Sequence, residues 1–165
     1  MKIRFLPECH ADTTLMTFFV KNAAPIDHES GLNEVARAMK NVKDKEFLLV
    51  GLVDKDKIQP KYFDDFQEIS SNHGVIFKQK PQTQHFLIIL EPAFEKFLLQ
   101  NVASIGLDLA NYGFPNDLKS LTKLTKKAAI KDDENFQKLL QDLKKSNAIG
   151  FIEIENILQK FLITN

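Results

Sequence analysis

The sequence predicts an α/β domain: a mostly parallel central sheet of about four strands flanked by helices, with a helical C-terminal extension. Three observations lead there. Short apolar runs of strand length alternate with segments whose apolar residues recur at helical spacing. One run, Phe47 to Val53, is apolar without interruption, as a strand covered on both faces of a parallel sheet must be. From about residue 107 onward the strand signal fades and only helical spacing remains.

Taken in order, Lys2 to Pro7 reads as a strand closed by its proline, and Asp12 to Asn22 as a helix carrying Leu15, Phe18 and Phe19. A polar turn, Pro25 to Gly31, leads to a second amphipathic helix with Leu32, Val35, Ala36 and Met39 inward and Ser30 as its expected cap. Phe47 to Val53 is the expected central strand, stopping abruptly at Asp54. Lys61 to Ser71 is read as a short helix with Tyr62, Phe63, Phe66 and Ile69 inward, broken by Gly74 before a strand at Val75 to Phe77. A further strand at His85 to Leu90 precedes Pro92, which suits a first helical turn, so Ala93 to Val102 is read as a helix. Three more helices are expected at Asn116–Ala129, Asp132–Lys145 and Ile152–Leu162. The one candidate linker, Gly106 to Pro115, is too apolar for a flexible hinge. Residues 1–105 are therefore the expected α/β core, and 106–165 an extension packed on the same domain.

Composition fits this reading and narrows the function. With 165 residues, 44% hydrophobic and 27% charged, the chain suits one core, and its 14 Phe with no Trp make phenylalanine the main aromatic filler. Cys9 is the single cysteine and has no disulfide partner in the chain. No signal-peptide pattern is visible, and no apolar run approaches the roughly 20 residues of a membrane span, so a cytoplasmic protein with no membrane partner is expected. The 22 basic and 22 acidic residues cancel, which excludes the bulk positive charge of a typical nucleic-acid binder. Contact with DNA or RNA would need a local patch or a metal.

Acidic residues gather where such a fold places its ligands. In alternating α/β sheets, binding occurs outside the carboxyl ends of the strands. Glu8 follows the first strand, and Asp54 and Asp56 follow the apolar one with a single residue between them, so both aspartates project to one side of an extended backbone. Crowded carboxylates repel unless a hard cation neutralises them, and Mg²⁺ or Mn²⁺ suits oxygen ligands.

Glu8-Cys9-His10-Ala11-Asp12 after one strand, followed by Gly51-Leu52-Val53-Asp54-Lys55-Asp56 at the end of the next, resembles the Toprim domain of topoisomerases, bacterial primases, and OLD and RloB-like nucleases. Glu8 matches the glutamate of that family's first motif, Asp54 and Asp56 its DxD motif, and Asp12 an acidic position four residues beyond the glutamate. Leu90 to Leu99, with Pro92, Phe94 and Glu95, is similar to a helix start in the RloB-like branch. The resemblance covers about residues 1–105. It departs at Cys9, where many relatives carry glycine, a change that narrows the approach of a phosphate. The resemblance implies Mg²⁺- or Mn²⁺-dependent phosphoryl transfer or phosphodiester hydrolysis on DNA or RNA. Asp54 and Asp56 would hold the metal, Glu8 would act as general acid or base or as a further ligand, and Asp12 is a further candidate ligand. It equally accommodates a non-catalytic Toprim-like interaction or regulatory module of a mobile-element or phage-defence locus, with a protein partner encoded nearby.

Plainer readings stand beside these. A DxD after a strand is a common solvated turn, and Asp12 is also a first-turn acid favourable to a helix dipole. Cys9 and His10 suggest a nucleophile and base, but adjacent residues on an extended chain point apart. The four histidines lack the spacing of a zinc site. Glu91 and Glu95 read as a solvated helix start, and Lys119, Lys123, Lys126 and Lys127 either as phosphate contacts or as a surface balanced by Asp132, Asp133 and Glu134. A nucleotide-binding flavodoxin-like domain is disfavoured because no glycine-rich phosphate loop is present.

Overall fold

The computed structural model describes residues 2–42, 46–55 and 58–162. Five strands, β1 (Lys2–Pro7), β2 (Phe47–Asp54), β3 (Gln67–Asn72), β4 (Val75–Gln79) and β5 (His85–Leu90), form one sheet in the order β1-β2-β5-β4-β3. β1 and β5 run parallel to β2 on either side of it, whereas β4 is antiparallel to both β5 and β3. The sheet is therefore mixed and five-stranded, not mostly parallel with about four strands. β2 is an interior strand, as its unbroken apolar run requires.

The extra strand comes from the segment read as a helix over Lys61 to Ser71. Lys61–Asp65 is a single 3₁₀ turn, and Gln67–Asn72 is strand β3. Phe63 and Phe66, three residues apart, suit a helix and a 3₁₀ turn equally, so their spacing could not choose between them. β3 and β4 form a hairpin whose two turn residues, His73 (φ 52°) and Gly74 (φ 77°), both lie in the left-handed region that such tight turns demand. Gly74 thus turns a hairpin and does not break a helix.

Eleven buried side chains of β1, β2 and β5 divide by alternation between two apolar layers. Ile3, Phe5, Val50, Leu52, Ile88 and Leu90 face the larger layer, together with Val75 and Phe77 of β4. That layer is completed by α1 (His10–Val20), α3 (Phe94–Ser104), α4 (Leu118–Thr125), α5 (Glu134–Lys145) and α6 (Ile149–Leu162). The opposite face, with Leu6, Leu49, Val53, Leu87 and Ile89, is covered by α2 (Leu32–Asn41) and by Phe63 and Phe66. Here Gly51 lets α2 approach closely: a Cβ at that position would lie 2.8 Å from Leu87 Cδ2 and 3.1 Å from Met39 Cε.

Helix boundaries shift for local reasons. α2 is capped at Gly31 and not at Ser30. α3 begins beyond Pro92, with Ala93 at its cap position and no side-chain cap of its own. In the C-terminal region, Asp117 and Asp133 cap α4 and α5 through their side chains; a 3₁₀ turn at Ala128–Asp132 replaces the end of the helix expected to reach Ala129, and another at Leu109–Tyr112 gives structure to the stretch read as a candidate linker. The Gly150 N–H at the start of α6 donates to Asn101 Oδ1 of α3 at 2.9 Å, and the Phe97 and Phe151 rings stack 6.1 Å apart. The free edge of β1 is lined by the loop after α1: the Phe5 N–H donates to the Pro25 carbonyl, and the Asp27 and Glu29 N–H groups donate to Phe5 and Pro7.

Candidate metal centre

The parallel pairing of β1 with β2 sets Pro7 beside Leu52, so both chains leave the sheet at the same end. The Glu8 N–H continues the ladder to the Leu52 carbonyl at 2.9 Å, and the Asp54 N–H then donates to Glu8 Oε2 at 3.0 Å. Two of the expected site acids are therefore joined directly, backbone to carboxylate. Asp54 also reaches across the end of the sheet to α3, where its Oδ1 accepts the Phe94 N–H at 2.8 Å. That bond supplies the cap that α3 lacks locally and places a negative charge at the positive end of its dipole.

Asp12 lies beneath these two acids, fully shielded from solvent at 0% exposure. Cys9 is the N-cap of α1. Its sulfur accepts the Asp12 N–H at 3.4 Å, and its thiol donates to Asp12 Oδ2 at 3.0 Å. The pair makes one half of a capping box with cysteine in the place of serine, while the Asp12 carboxyl closes back on the thiol in place of the Cys9 N–H. Asp12 Oδ1 is buried with no hydrogen-bond partner in the structure. Burial, and then the charges of Asp54, Glu8 and Glu95, hold the Asp12 carboxyl well above the usual carboxylate range; the Cys9 thiol pulls it back only in part. Burial, followed by the Asp12 charge and hydrogen bond, likewise pushes the Cys9 thiol far up. A thiol so held stays protonated, which removes Cys9 as a nucleophile. The neighbouring His10 ring stacks on His28 with centroids 4.4 Å apart.

Glu95 is the residue that sequence reasoning placed wrongly. It is not part of a solvated helix start: it is 9% exposed and accepts the buried Thr125 hydroxyl at 2.5 Å, which carries the acidic region into α4. Its signal was its position one residue beyond Phe94, on the turn that Asp54 caps. Glu91 behaves differently and pairs with Lys55, the residue between the two DxD aspartates. Asp56 falls outside the described residues. Of the expected ligands, the fold thus brings Glu8, Asp12 and Asp54 to one end of the sheet, with Glu95 beside them.

The donor chemistry of this end is carboxylate oxygen, which suits a hard divalent cation. Glu8 and Asp54 are the described residues placed to hold one, and Asp12 with its orphaned oxygen lies beneath them. Among the described residues, no group of three or more His, Cys, Asp or Glu side chains is arranged to hold a metal unaided. No protein-family model, curated protein or solved structure matches this chain.

Proposed function

We propose that the carboxyl ends of β1 and β2 form an Mg²⁺- or Mn²⁺-dependent phosphoryl-transfer centre of Toprim type, hydrolysing phosphodiester bonds in DNA or RNA, with Glu8, Asp54 and Asp56 as its acids. The observation that carries this reading is the bond from the Asp54 N–H to Glu8 Oε2, which joins two strand-end acids over a buried carboxyl with an unpartnered oxygen. Bound there, the cation would supply Lewis-acid stabilisation of charge on a phosphoryl oxygen. Asp54, fixed by the Phe94 N–H, and Asp56 hold it. Glu8, oriented by the Asp54 N–H, takes the proton from an attacking water. Asp12, whose proton affinity is raised by burial and by these charges, would give up that proton more readily once a cation neutralised its neighbours.

A second reading, a non-catalytic Toprim-like interaction or regulatory module, draws on a separate observation. Asp54, Asp12 and Glu95 each have a structural partner, in Phe94, Cys9 and Thr125. Substitution at Asp54 separates the two. Asp54→Asn keeps an oxygen for the Phe94 N–H but removes the charge, so the enzyme reading expects metal-dependent cleavage of plasmid or single-stranded substrate to fall at least about 100-fold with melting nearly unchanged. Asp54→Ala should lose cleavage equally and also cost about 1 kcal/mol through the lost cap. If the wild type cleaves nothing with Mg²⁺ or Mn²⁺ and its melting ignores both ions, the module reading stands.

A further inference from the structure

We propose that the groove between α1 and α5 binds a single nucleic-acid strand through its phosphodiester backbone. This deepens the phosphoryl-transfer reading by giving it a substrate track; it rests on that reading for the fate of the strand, though not for its binding. The groove has a volume of about 570 Å³ and is lined by Thr17, Phe18 and Lys21 of α1 and its cap and by Gln137, Gln141, Lys144 and Lys145 of α5. The α5 residues recur at spacings of four, three and one, which places them along one stripe of the helix. Lys138 and Asp142, paired with each other, lie on a neighbouring stripe.

Charge distinguishes this groove from three other surface cavities. Three lysines line it and no carboxylate does, whereas each of the other three includes an acid among its lining residues: Asp27 at the β1 edge, Asp64 and Glu68 beside the β3–β4 hairpin, and Asp133 near the 3₁₀ turns. Lys144 is offset by Glu155 of α6 and sits over the Phe19 ring. Lys21 and Lys145 form no ion pair among the described residues, although the charge of Lys145 is felt by Asp142, which Lys138 already pairs. Like charges around one groove repel, and a chain of phosphates relieves that repulsion while releasing its own counterions. The Gln141 amide and the second N–H of Gln137, whose first donates to the Lys131 carbonyl at 3.2 Å, add neutral donors for phosphate oxygens, whereas the Thr17 hydroxyl already donates to the Thr13 carbonyl at 2.7 Å. Overall neutrality therefore conceals a local positive track. α1 also connects this track to the acids, because Cys9 and Asp12 occupy its first turn and Thr17 to Lys21 its last. The helix spans about 16 Å, a distance that a strand of a few nucleotides covers.

The test uses the full chain in EDTA at low salt, so that binding is read without metal or turnover. Fluorescence anisotropy with end-labelled oligothymidylate and oligouridylate measures affinity for DNA and RNA across a salt series. Wild type should bind with an affinity that falls steeply as salt rises. The double variant Lys21→Gln/Lys145→Gln, at exposed positions, should bind at least about tenfold more weakly, and its salt slope should be shallower by about 1.4, for two lost phosphate contacts. The control Lys119→Gln/Lys123→Gln on α4 should bind as wild type does. Equal affinity for both oligonucleotides assigns recognition to phosphate, and tighter RNA binding adds a 2′-hydroxyl contact; either supports the proposal. It is overturned if wild type binds neither oligonucleotide, if both double variants lose affinity alike, or if polyglutamate binds as tightly as the oligonucleotides. Loss of cleavage in Asp54→Asn with binding retained leaves the groove standing whichever reading of the acids holds.

Discussion

The parallel half of the sheet and its antiparallel hairpin are built from different material. β2 and β5 are apolar nearly throughout, β1 is apolar but for Lys2 and Arg4, and of the three β1 is followed by Glu8 and β2 ends in Asp54. β3 reads Gln-Glu-Ile-Ser-Ser-Asn, is solvated along almost its whole length, and holds its place through the backbone ladder to β4. The contrast teaches that this fold anchors its acids to strand ends buried on both faces, where a carboxylate can be held by main-chain donors, and leaves its polar strand at the far edge.

The largest expected effect falls on the parallel half. Phe5→Ala removes a ring with 0% exposure from the layer between β1 and α1 and should cost about 3–5 kcal/mol in urea unfolding. A loss below about 1 kcal/mol would mean that β1 is not the packed wall described above.

Next comes Asp12, where the sign follows from its raised proton affinity. A carboxyl that binds its proton more tightly in the folded than in the unfolded state stabilises the fold below the ordinary carboxylate range. That contribution declines as pH rises toward its folded-state value. Asp12→Asn keeps an acceptor for the Cys9 thiol without the charge. In EDTA it should therefore melt above wild type at about pH 8, with the gap closing toward about pH 4. A variant that melts lower at the higher pH would mean that Asp12 is held as a satisfied carboxylate.

The smallest effect belongs to the hairpin. Ile69 is 50% exposed on β3, and Ile69→Thr should change stability by no more than about 0.5 kcal/mol by the same urea assay. A cost approaching that of Phe5→Ala would erase the contrast between the halves.

What could be read from the sequence follows the same division. Unbroken apolar runs identified β2 and β5, and the acids at the ends of β1 and β2 were legible because the strands before them were. β3 has no apolar alternation, so nothing in its residues marked it as a strand. Phe63 and Phe66 supplied a spacing that a helix and a 3₁₀ turn share. The Cys9–Asp12 cap was hidden because cysteine is not among the usual capping residues, although Asp12 stands at the spacing of a capping box. The Asp54 cap on α3 and the Glu95–Thr125 contact are tertiary facts: they join residues 40 and 30 positions apart and leave no local pattern.

The bond from Gly150 to Asn101, with the stacked Phe97 and Phe151 beside it, bears on how far this molecule can be pared down. A fragment ending after α3 would retain every strand and each of the named acids, and on paper it would look like a self-sufficient catalytic unit. It would also strip the cover from Phe77, Phe94 and Phe97 and leave Asn101 Oδ1 without the amide it accepts. The last three helices act as a lid over one side of the sheet, so excision at that boundary would yield an oily half-shell in place of a smaller version of the same protein.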